Sequence, residues 1–115
     1  MPSPASGQNQ PLELAARIGS SSPVQLEIIA AIEAFEAWDL PWRFLADVTA
    51  WPTLTAADRT TIQQIWMEAC DVRHWHHADS AQNAAASDLA LQERFPWLTE
   101  HARAQFVRAA SYEWK

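Results

Sequence analysis

Glycine is nearly missing from this chain, at two residues in 115. A β-rich fold of this length needs several tight turns, which usually take Gly or Asn-Gly pairs, and these are absent. Valine is sparse and alanine abundant, a bias towards helix. A single cysteine, Cys70, excludes an intramolecular disulfide and fits a reducing cytosol. The most apolar stretch, Leu26 to Trp38, is broken by Glu27, Glu33 and Glu36, far short of the roughly 20 apolar residues of a membrane span. The chain opens Met1, Pro2, Ser3, Pro4 with neither a basic cluster nor an apolar core, so a secretory signal is not expected and a cytoplasmic location is. Basic side chains are outnumbered fourteen to eight, for a net charge of -6, so phosphate backbones are repelled and direct nucleic-acid binding is disfavoured. The same charge steers encounter with a basic protein and also keeps a small domain soluble.

The length suits one domain, able to bury roughly two thirds of its unfolded surface. Residues 1–10 combine Pro, Ser, Gly, Gln and Asn and read as a disordered tail, with a single helical domain over residues 11–115. Residues 11–18 suit a short helix with Pro11 in its first turn and Gly19 as its stop. Ser22 as N-cap and Pro23 as first residue start a longer helix to about Trp38, with an apolar stripe of Val24, Ile28, Ala31, Ile32, Phe35 and Trp38. Pro41 opens a shorter helix from Trp42 to Ala50, closed by Pro52. Thr55 and Asp58 form a capping-box pattern ahead of a long helix from Ala56 to about His76, whose expected core face is Ile62, Ile65, Ala69, Val72 and His76. Residues 78–87 read as a loop passing into a helix from about Ala84 to Arg94, ended by Pro96. Thr99 caps a last helix with Phe106, Val107, Ala110 and Trp114 as its buried edge. The expected fold is all-α, a compact array of four to five helices.

Titratable groups crowd between Glu68 and Asp79: Glu68, Cys70, Asp71, His74, His76, His77 and Asp79. On a continuous helix Cys70, His74 and His77 would share one arc, the spacing of a thiolate and two imidazoles for Zn²⁺. A fourth ligand, Asp79 or His101, would have to be recruited, and no standard zinc motif is present. The alternative is that histidines gather at a helix C-terminus, where imidazolium complements the dipole. That alternative is preferred, with neither metal nor cofactor expected. No nucleophile elbow, Gly-rich phosphate loop or paired-carboxylate motif supports an enzyme.

Seven tryptophans, at 38, 42, 51, 66, 75, 97 and 114, are far above usual usage. Trp38, Trp66 and Trp114 lie on or beside the apolar stripes. Trp75, on the expected long helix, falls between Glu68 and Asp71 and away from Ile62 and Ile65, exposed unless another segment covers it. An indole ringed by carboxylates suits a basic protein partner, since Trp is a common hot spot and acids speed encounter. The expected binding residues are therefore Trp75, Glu68, Asp71 and Asp79.

The stretch Phe95, Pro96, Trp97, Leu98, Thr99, followed by Ala110, Ser111, Tyr112, Glu113, Trp114, Lys115, resembles the ends of small helical immunity proteins of bacterial polymorphic toxin systems. The resemblance implies a cytosolic protein that occludes or distorts the active site of a cognate toxin, with no catalytic residues of its own. The expected partner is a toxin domain with a basic surface, such as one that cleaves nucleic acid. Rival readings are a small metal-dependent hydrolase using Cys70, His74 and His77, a phage or secretion-system assembly factor, and an acidic inhibitor that mimics nucleic acid.

Overall fold

A computed structural model describes residues 23–114. The expected tail, the helix over residues 11–18 and the Ser22 cap lie outside the described residues. Among these the chain is all-α. Five α-helices run in order: α1 Pro23–Glu33, α2 Phe44–Thr49, α3 Ala56–Ala69, α4 Ser80–Arg94 and α5 Glu100–Glu113. One 3-10 turn, Pro41–Arg43, leads into α2, and a second, Val72–His74, follows α3.

Local chemistry explains most helix starts. Thr55 and Asp58 form the capping box: the Thr55 hydroxyl accepts from the Asp58 N–H, and the Asp58 carboxylate accepts from the Thr55 N–H. The Thr99 hydroxyl accepts from Ala102 N–H to start α5. Pro41, with its fixed φ, opens the turn ahead of α2.

α5 is the spine of the fold, packing on α1, α3 and α4. Its Ala102, Phe106, Ala109 and Ala110 meet Ile28 and Ile32 of α1, Ile62 and Ile65 of α3, and Leu91 of α4 in one core. Phe44 fixes α2 to this core, edge-on to Phe35 and Phe106 at centroid distances of 5.2 and 5.1 Å and stacked on Trp38 at 5.8 Å. Arg59 holds the α2–α3 connection by donating to the carbonyls of Thr49, Trp51 and Leu54.

Several boundaries differ from the sequence expectation. α1 stops at Glu33 rather than Trp38, because the buried Gln105 amide donates to the carbonyls of Ile32 (3.2 Å) and Phe35 (2.8 Å) in place of a further helical turn. α3 stops at Ala69 rather than His76. The Ala69 carbonyl accepts from the Ser87 hydroxyl (2.8 Å) and the Trp75 indole (2.7 Å), and the Cys70 carbonyl accepts from the Trp114 indole (2.8 Å). Val72 and His76, expected in the core, are therefore exposed. α4 starts at Ser80, four residues before Ala84, because the Asp79 carboxylate accepts from Ala81 N–H. In α5, Phe106 and Ala110 are buried as expected, whereas Val107 is half-buried and Trp114 is exposed.

Candidate functional site

The early end of α3 decides where the expected site residues go. Glu68 is 7% exposed, and its carboxylate accepts from His74 Nε2 (2.8 Å), Arg73 Nη2 (3.1 Å) and Arg94 Nη1 (2.8 Å). Burial alone would raise its pKa, but the hydrogen bonds from His74 and Arg94, with the positive charge of Arg73, outweigh that and hold it below the ordinary value. Asp71 caps the second 3-10 turn: its carboxylate accepts from the Arg73 side chain and backbone, and those bonds lower its pKa. Trp75 sits in the turn beyond α3, half-buried against the core, with its indole N–H on Ala69. Asp79 is exposed but engaged as the α4 cap.

Glu68, Asp71 and Trp75 thus serve the joint between α3 and α4. Beside them is a groove of about 440 Å³ between Arg73 and Arg94, floored by His74 and Ala90, with Leu89 exposed at its edge.

The arc considered for zinc does not form, because the helix ends at Ala69, which leaves Cys70 as its cap, His74 in the 3-10 turn and His77 beyond it. His74 is spent on Glu68, and the His77 backbone is pinned on both sides by the Asn83 amide. Cys70 lines a hollow with Trp66, Glu113 and Trp114, and burial together with the Glu113 charge pushes its thiol up to about 12. A thiol so hard to ionise is a poor metal ligand or nucleophile near neutrality. Among the described residues no group of three His, Cys, Asp or Glu side chains stands close enough to hold a metal ion.

The most open aromatic surface lies elsewhere. Trp42, in the first 3-10 turn, is 74% exposed, and Tyr112 and Trp114 at the end of α5 are exposed as well. Between Trp42 and α5 runs a cleft of about 380 Å³, lined by Leu45, Trp66, Tyr112 and Glu113 over a floor that includes Phe44. Trp66 and Glu113 also line the adjoining hollow of about 230 Å³ at Cys70 and Trp114, so the two spaces form one aromatic trough. Its walls are firmly set: Tyr112 stacks on Trp38 at 6.3 Å, and Trp114 is anchored through Cys70. Trp42 escaped the sequence reading because its neighbours Phe44, Leu45 and Val48 satisfy the core. The signal for it is the Pro41-Trp42-Arg43 turn, too short to bury its own aromatic.

Neither a protein-family model, nor a curated protein, nor a solved structure matches this chain.

Proposed function

We propose that this chain is a stoichiometric protein-binding inhibitor, an immunity protein that neutralises a cognate bacterial toxin in the cytoplasm by covering the toxin's active or binding surface, without catalysis of its own. One observation carries the reading: a large indole, Trp42, stands in solvent over an apolar cleft whose walls the core holds rigid. Exposed aromatics around a preformed concavity are the anchors of protein interfaces, because they bury much area at little entropic cost. The net charge of -6 suits a toxin with a basic surface. Trp75, Glu68, Asp71 and Asp79 remain a candidate second contact, but all four already have intramolecular work, so the trough is the stronger anchor.

The test is co-expression with the toxin encoded beside this chain, followed by calorimetry. Wild type should restore growth and form a one-to-one complex. Trp42→Ala should weaken binding by about 2 kcal/mol with an unchanged melting temperature. Trp75→Ala should instead destabilise the fold by about 2–3 kcal/mol, since it removes a core contact and the indole bond to Ala69. Failure of wild type to restore growth sinks the immunity reading.

A further inference from the structure

We propose that the trough takes one cationic side chain of the partner, an arginine or lysine, held between the rings of Trp42, Trp66 and Tyr112 and the carboxylate of Glu113. This rests on the reading of the trough as a docking surface and names the chemistry that fills it.

Three observations point the same way. Four aromatic rings, Trp42, Phe44, Trp66 and Tyr112, line the cleft beside Pro41, Leu45 and Ala109, and π-faces carry the negative charge that draws ammonium and guanidinium groups. Glu113 lines both the cleft and the adjoining hollow and, among the described residues, makes no hydrogen bond or ion pair. It is also the last residue of α5, where the helix dipole disfavours a carboxylate. A lone anion on an aromatic wall, in a position its own helix opposes, gains most from an incoming cation. Third, a ring that stacks against the cleft's wall already holds a guanidinium: Arg108 lies 4.3 Å over Trp38, which does not line the cleft itself but stacks on Tyr112, which does. The fold's own arginine thus shows the contact that a partner's arginine would repeat on the open side. A cleft of about 380 Å³ lies near the small end of the roughly 300–1,000 Å³ of ligand pockets, matching one long side chain rather than a docked helix.

Indole N–H resonances of the ¹⁵N-labelled chain are followed during titration with three blocked tripeptides, acetyl-Gly-Arg-Gly-amide and its citrulline and leucine counterparts. Citrulline keeps the shape of arginine and removes its charge. The arginine peptide should shift the Trp42 and Trp66 signals saturably, and the citrulline and leucine peptides should bind about tenfold more weakly. Glu113→Gln, which removes a carboxylate from a helix C-terminus and should leave the melting temperature equal or slightly raised, should lower arginine-peptide affinity several-fold and narrow the gap to citrulline. Equal binding of the arginine and leucine peptides would make the trough an apolar pocket and overturn the assignment. So would the absence of any shift with the arginine peptide. Neither result touches the docking reading, which stands or falls separately on toxin binding by Trp42→Ala.

Discussion

His74 donates from Nε2 to the Glu68 carboxylate across 2.8 Å, and both side chains are buried between α3 and α4. With Arg73 and Arg94 on the same carboxylate, this joins the end of α3 to the 3-10 turn and to the last turn of α4. A carboxylate whose pKa is depressed on folding contributes stability above its unfolded pKa, and that contribution is lost as pH falls through the folded value.

Glu68→Gln should therefore be less stable than wild type at pH 7, by about 2 kcal/mol, the range of hydrogen bonds to a charged group. The gap should narrow as pH falls below about 4.5, where the unfolded carboxylate is half protonated, and close as pH passes through the lower folded value. Urea unfolding of both proteins from pH 7 to pH 3 checks this. A gap that stays constant or widens in acid shows that Glu68 is not charged in the folded chain.

Gln105 ends α1 from 70 or more residues away, through one NH₂ group shared by two carbonyls. Gln105→Glu keeps the shape but replaces the donor with an acceptor facing those carbonyls, so it should cost more than Gln105→Ala, itself about 2–3 kcal/mol. Thermal unfolding at pH 7 ranks the pair. If Glu is the milder substitution, the amide is not what stops the helix.

Cys70 should resist modification. With its thiol raised to about 12, the thiolate fraction at pH 8 is about 10⁻⁴, against roughly a quarter for an ordinary thiol of pKa about 8.5. Iodoacetamide labelling at pH 8 should be slower by two orders of magnitude or more in the folded chain than in urea, and purified protein should carry no stoichiometric zinc. Equal labelling rates in the two states would place the thiol in water.

What could be read from the sequence follows the range of the forces. Thr55, Asp58, Pro41, Pro96 and Thr99 mark their boundaries because each cap or break acts within four residues. The ends of α1 and α3 were out of reach, since Gln105, Ser87 and Trp114 act across 18 or more residues and their partners carry no sequence mark. Asp79 precedes α4 where a cap belongs, yet the sequence suggests a partner contact or a recruited zinc ligand there. Composition announced that tryptophan matters, but burial depends on which of the seven the core has room for, and packing left Trp42 outside.

The stop of α3 is borrowed, and this makes the segment conformationally conditional. Its own periodicity runs apolar through Val72 to His76, and only Trp75, Ser87 and Trp114, folded back from three different places, claim the carbonyls of Ala69 and Cys70. Cut out as a peptide covering residues 55–78, the same residues keep Trp75 but lose Ser87 and Trp114, and with them the core that holds the Trp75 indole in place. Any helix they form in isolation should therefore extend past Ala69 into the stretch that the intact chain bends away, so that the turn carrying Trp75 exists only once α4 and α5 are in place.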